Sequence, residues 1–393
     1  MGPARAGTLP DAAGRVADYD WLIGQIAAHY AYLPERHLDL GKLRTLYRRD
    51  AAAADTRGAF IHVIEETIGE LHDHHATLGT NTPSSPQLIP TGTDLWAEVK
   101  DGRAVIDEVR PNSPAAAAGV EAGDVVTSIG GVPALRAVES ARPRTLNAPD
   151  PEADNFALRT LLAGTHDAHR VFVVQHARGR QNVDLPPYVP PTSSAPVSRR
   201  WLKPGIGYIR IENSLGDSNT VAAFDDALVF LAHARVVILD LRDTPSGGDT
   251  DVAEPILGRF IARKAGYQRV FDPGPGKSFP KDSWLKFVAP RGPLVTAKLM
   301  VLSDHWTGSM GEGMTIGLDA LNRASTIGMA MAGLSGGTGE FTLPHSGITV
   351  HFPVERLYHV DGTPREHWKP RIAVDPAGQG DPILARALVE AEH

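Results

Sequence analysis

The chain contains no cysteine among its 393 residues, which excludes disulfides, thiolate zinc sites and cysteine nucleophiles. No run approaches the roughly 18 consecutive apolar residues that cross a bilayer, so no membrane span is expected. The opening MGPARAGTLPDAAGRV has no apolar h-region. The compartment therefore reads as cytoplasmic, or as exported with a signal already removed. A basic excess is also missing: 39 Lys and Arg stand against 46 Asp and Glu, a net charge of −7. Such a chain has no general field for a polyanion, which argues against nucleic acid as a partner.

What is present is ample core material. Apolar residues make up 42 % and charged residues 22 %, close to the globular average, and the length calls for two or three domains. Residues 1–82 read as a helical region. Leu22, Ile26 and Tyr30 share one face; Phe60, Val63, Ile64, Ile68 and Leu71 share another, with Asp55 and Thr56 as cap chemistry ahead of it. TNTPSSPQLIPTG (80–92) is rich in Pro, Ser and Thr and reads as a linker.

Residues 88–188 read as a β domain. Two strand patterns, 95–99 and 104–109, flank Lys100-Asp101-Gly102-Arg103, a type I′ hairpin signal. Ser113 caps a short helix, Pro114 fits its first turn and Gly119 ends it. The run SPAAAAGVEAGDVVTSIGG, with closing strands in 169–186, resembles a PDZ domain. A second linker is expected at PPYVPPTSSAPVSRR. From 198 to 393 the pattern becomes strand-helix-strand: 206–211, 235–242 and 298–303 are apolar, β-branched runs, and 222–234 is an amphipathic helix between two of them. That order argues for an α/β core with parallel pairing.

Two strand exits in this core carry chemistry. After VVILDLR comes DTPSGGD (243–249), and after KLMVLS comes DHWTGSMGEG (304–313). Gly247-Gly248 lets backbone amides approach a ligand. Ser309 sits where a strand turns into a helix, near its positive end. Alone, a serine there is usually a cap and a glycine pair a turn. Together they resemble peptidase family S41, the C-terminal processing and tricorn-type peptidases. Asp240-Leu241-Arg242 followed by Pro245 and Gly247-Gly248 is similar to the family's D-L-R-x-N-x-G-G turn. Thr307-Gly308-Ser309-Met310-Gly311-Glu312 is similar to its T-x-S-x-x-E nucleophile segment. The order helical region, PDZ, α/β core is also the family's order, and the core would resemble the crotonase and ClpP fold.

The resemblance implies Ser309 as nucleophile, with the Gly247 and Met310 amides as oxyanion donors. One family design takes its base from a lysine in T-x-G-K-G, but the matching stretch 331–338 has no lysine. The other uses a histidine ending an L-x-D-x-H pattern. Leu71-His72-Asp73-His74-His75 fits it, which makes His75 the expected base and His305 the second choice. Glu366, in DGTPREHWKPRIAVDP, is the expected acid that orients the base, although His74 in the preceding position leaves that role open. His72 and His74 read as surface histidines. Three histidines at this spacing do not share a helix face, so no metal is expected, and no cofactor either.

The implied activity is hydrolysis of a peptide or unfolded protein through Ser309, His75 and Glu366. The PDZ-like domain would bind a peptide by strand addition or cover the cleft. The competing readings are a non-hydrolytic binding protein on the same fold and an esterase or amidase using the same residues.

Overall fold

The computed structural model describes residues 8–376 and 380–392; the first seven residues of the opening stretch lie outside them. The chain divides into two compact units, Met1–Val189 with Gly337–Glu355, and Pro190–Gly336 with Arg356–His393. The first unit begins with helices Ala12–His29, Leu40–Leu46, Arg48–Ala53 and Arg57–Gly69. Their starts are set by side-chain caps: Asp11 accepts from the Gly14 amide at 2.8 Å and Thr56 from the Ala59 amide at 3.1 Å. The expected stripes face one another, and Leu22, Ile26, Phe60, Ile64 and Leu71 are buried in a single core.

That core is completed from far along the chain. Val350 and Phe352 of the hairpin 337–355 pack into it, and Thr77-Leu78 pairs antiparallel with Val350-His351. An extended segment thus leaves the helical region immediately after His75.

The β domain has its own core, built around Leu95, Ile106, Val126, Leu158 and Phe172. Its antiparallel strands run in the order Leu95–Lys100, Arg103–Val109, Val125–Ile129, Arg170–His176, Gly179–Leu185. Asp101 and Gly102 both have positive φ, +49° and +68°, as a type I′ turn requires. Ser113 accepts from the Ala116 amide at 3.2 Å with Pro114 in the first turn. The 80–92 stretch is bonded in rather than tethered loosely: Gln87 N–H donates to Gly164 O at 2.9 Å, and His166 N–H to Ser85 O at 3.2 Å.

The second unit is built on a six-stranded sheet ordered Ile372–Ala373, Ala324–Gly328, Lys298–Ser303, Val236–Asp240, Ile206–Ile211, Val197–Lys203. All neighbours are parallel except the last pair. Both faces are covered. Val237 and Leu239 join the core under helices Asn219–Phe230, Thr250–Leu257 and Met310–Ala320, while Val236 and Ile238 join that under the C-terminal helix Pro382–Glu390. Burial on both sides is why these strands read as unbroken apolar runs. The sequence PVSRR, expected as linker, is instead the start of the edge strand Val197–Lys203. An edge position buries little, so only Val197 faces the core and the rest keeps the polar look of a connector. Among the described residues no helix is long and apolar enough to cross a membrane.

Candidate active site

The chemistry gathers where two adjacent parallel strands of the second unit end. Val236–Asp240 leads into 241–249, and Lys298–Ser303 into 304–309. The first exit is fixed by its own motif. The Asp240 carboxylate accepts from Tyr208 Oη at 2.6 Å, from Arg242 N–H at 3.0 Å and from the Arg242 guanidinium at 2.9 and 2.7 Å. Arg242 continues to Asp381 at 2.7 and 2.9 Å, at the start of the C-terminal helix. Burial opposes ionisation of Asp240, but the guanidinium beside it holds the carboxyl below its ordinary range. Asp240 and Arg242 thus anchor the turn.

The two exits then press together. Thr244 and Thr307 form a parallel bridge, and Gly308 N–H donates to Thr244 O at 3.2 Å. No side chain fits at the seam. A Cβ on Gly308 would lie 2.6 Å from Pro245 O, and one on Gly311 would lie 2.2 Å from Thr244 Oγ1. Gly247 has φ +64°, and a Cβ there would sit 2.4 Å from Ser309 Cβ, 2.9 Å from its Oγ and 3.1 Å from Met310 N. The missing Cβ is what leaves Ser309 Oγ and the Met310 amide facing the Gly247-Gly248 turn.

Ser309 itself is held at φ +49°, ψ −107°, a strained setting for a non-glycine residue that clusters at functional sites. It is half-buried between buried neighbours and immediately precedes helix Met310–Ala320. The Met310 amide is first in that helix, one of the first-turn N–H groups for which a helix supplies no acceptor of its own. Gly247 N–H donates to Thr244 O at 3.1 Å, closing the turn.

Glu312 secures the elbow from below. Its side chain is buried and accepts from Ser309 N–H at 2.7 Å and from Gly333 N–H at 3.0 Å. The carboxylate therefore joins the Ser309 turn to the 331–336 loop. Arg365 lies 3.9 Å away and clamps the same loop, donating to Leu334 O at 2.8 Å and Gly336 O at 2.7 Å. Burial raises the Glu312 carboxyl to about 7, with nearby Glu366 adding to the rise and Arg365 and the two amides opposing it. Glu366 sits in the short turn Arg365–His367; among the described residues its buried Oε2 has no hydrogen-bond partner.

His75 belongs to the first unit. It follows helix Arg57–Gly69 in a turn governed by Asp73, whose carboxylate accepts from His75 N–H at 3.0 Å and from Tyr30 Oη at 2.8 Å, with Arg36 at 3.5 Å. His72 and His74, expected at the surface, are drawn inward. His72 is buried against Asp150 at 2.9 Å, and His74 stacks on Phe156 with ring centroids 4.5 Å apart. Burial lowers the pKa of both rings. The helix Pro151–Ala163 that bears Phe156 comes from a segment the helical pattern around His75 does not reveal.

The structure thus brings together Ser309, Gly247, Met310 and Glu312, with Glu366 beside Glu312. Glu312 was visible only as a motif letter, and Arg365 carried no signal because its partners are carbonyls about thirty residues back.

Comparison with known proteins agrees with this architecture. Residues 205–376 match the model of peptidase family S41, and residues 105–142 match that of a PDZ domain. Among solved structures, a photosystem II D1 C-terminal processing protease is similar at 18 % identity, covering 93 % of this chain and 94 % of that one with a TM-score of 0.58. Mature CPAF is similar at 14 % identity, over 92 % and 93 % of the two chains, with a TM-score of 0.59. A putative peptidase from Parabacteroides merdae matches at 14 % identity over 96 % and 97 %, with a TM-score of 0.55. At such identities the likeness is one of fold, while the family match covers the segment that bears Ser309.

Proposed function

We propose that this chain, whose core carries a peptidase family S41 domain, is a serine peptidase that hydrolyses peptide bonds of unfolded protein or peptide substrates. Ser309 Oγ attacks the scissile carbonyl carbon while His75 takes its proton. The tetrahedral oxyanion is held by the Met310 amide and by the Gly247 amide, which shares its hydrogen between the oxyanion and Thr244 O. Collapse expels the amine, which receives the proton from His75. Water then attacks the acyl-enzyme by the same route in reverse. Glu366 orients the imidazole, and no cofactor is needed.

The observation that carries this reading is the Ser309 elbow: a positive-φ serine at a helix start, facing a glycine whose missing Cβ leaves room beside its Oγ. A serine that only capped the helix would need neither the strain nor the facing glycine. The decisive experiment is labelling with a fluorophosphonate probe together with casein hydrolysis, wild type against Ser309→Ala. Both signals should vanish in the variant, hydrolysis by on the order of 10⁴-fold or more. Labelling that survives Ser309→Ala would remove the nucleophile assignment.

A further inference from the structure

The strand Leu95–Lys100 lies at one end of the PDZ-like sheet and pairs with Arg103–Val109 on one side only. In a PDZ domain such an edge receives an extended peptide, whose main chain bonds to the open main-chain groups of the strand. Here two of those groups are already taken. Ala97 O accepts from Arg159 Nε at 3.1 Å, and Val99 N–H donates to Asn155 Oδ1 at 2.9 Å. Residues two apart on a strand present their groups to the same edge, and residues four apart on a helix share a face. Asn155 and Arg159 of helix Pro151–Ala163 therefore supply one acceptor and one donor where an added strand would supply its own.

Arg159 is not a loose plug. Its guanidinium lies 4.1 Å from the centre of the Trp96 ring and 3.2 Å from the Glu98 carboxylate, and the residue is 8 % exposed. The start of the strand is tied down as well. Asp94 is buried and bound to Arg170 at 2.5 Å, and it accepts from Ala115 N–H at 3.0 Å.

We propose that helix Pro151–Ala163 is a built-in ligand of the PDZ-like edge, so that this domain does not capture substrate tails by strand addition. Resting on the hydrolase reading above, the substrate class follows: internal segments of unfolded polypeptide, with no requirement for a free C-terminal carboxylate.

Hydrogen exchange on the full-length chain tests the occupied edge without any turnover. The Val99 amide should be protected in the free protein and unchanged by a saturating pool of casein-derived peptides with free C-termini. In the N155A/R159A variant the 95–100 segment should exchange at least about tenfold faster and regain protection when the pool is added. Peptide-induced protection in the wild type overturns the proposal, as does exchange in the variant that matches the wild type. Should the variant fail to fold, the wild-type result alone decides. The substrate half is read with one fluorogenic unstructured peptide prepared as free acid and as C-terminal amide. Their kcat/KM values should agree within about twofold, whereas a loss of about tenfold on amidation overturns the substrate class. No turnover of either form overturns the hydrolase reading and the substrate class with it, while exchange still decides the occupied edge.

Discussion

At the scale of single residues, the Ser309 turn is defined by what is absent from it. Gly247, Gly308 and Gly311 each stand where a Cβ would strike the opposite strand exit. This was half legible in the sequence. The Gly-Gly pair after one apolar strand reads as a place where backbone amides can approach a ligand, and Ser309 after another as a strand-to-helix turn. Which glycine faces the serine depends on strand order, which no local pattern carries. The geometry makes Gly247→Ala an informative substitution. The methyl group would fall 2.4 Å from Ser309 Cβ, on a backbone with φ +64° that already disfavours a side chain. The turn must yield, and misplacement of a nucleophile by about 1 Å costs on the order of 10²-fold. Fluorophosphonate labelling of Ser309 should slow by that factor while the far-UV spectrum stays that of the wild type. An unchanged labelling rate would separate Gly247 from the reactive centre.

At the scale of elements, the strand exits and helix Met310–Ala320 are held by buried ionisable groups that the sequence shows only as letters. Glu312 reads as a helix-start acid, a common surface feature. It is buried because the 331–336 loop closes over it, and that loop is held by Arg365. The consequence is a pH dependence with a definite sign. Burial raises the Glu312 carboxyl from 4.5 to about 7, so between those values the native state keeps a proton that the unfolded chain has released. Its stabilising contribution is complete below about 4.5 and is lost as pH rises through about 7, a change of roughly 3 kcal/mol. Urea midpoints from pH 5 to pH 8 should fall for the wild type relative to Glu312→Gln, which has no such proton to lose. Parallel curves would mean that Glu312 does not titrate there. The same variant should label more slowly, by about tenfold, because two backbone N–H groups face the side chain and an amide offers one acceptor for them. The D-L-R motif makes a second element-scale prediction. Asp240→Ala leaves the mostly buried Arg242 without its main partner, and breaking such a pair costs about 3–5 kcal/mol. Chemical denaturation should show that loss; a change below about 1 kcal/mol would make the motif dispensable for folding.

At the scale of the whole molecule, the helical start and the α/β core were legible because each has its own hydrophobic period, and the PDZ-like run because its sequence resembles that domain. The hairpin 337–355 was not legible as part of the N-terminal unit. Its buried face, Val350 and Phe352, is paired with helices nearly 300 residues earlier. Strands Ala265–Phe271 and Ala324–Gly328 were also missed, since one mixes polar residues into a partly exposed sheet and the other is short. The division bears on the proposed mechanism, because Ser309 belongs to one unit and His75 to the other. In the proposed mechanism activity is therefore a property of the complete chain, and the histidines discriminate. His75→Ala should reduce casein hydrolysis to the level of Ser309→Ala, with its fold intact. His305→Ala probes the alternative base. His305 is buried four residues before Ser309, so its loss should lower stability but leave the pH profile of the remaining activity unchanged. The wild-type profile of kcat/KM should rise through a histidine-like value near about 6.5. In the proposed mechanism His75 would give that rise its physical origin: a neutral imidazole accepts the serine proton, and an imidazolium cannot. Full activity in His75→Ala, or loss of the rise in His305→Ala, would transfer the base to the strand exit itself and make the second unit catalytically self-sufficient.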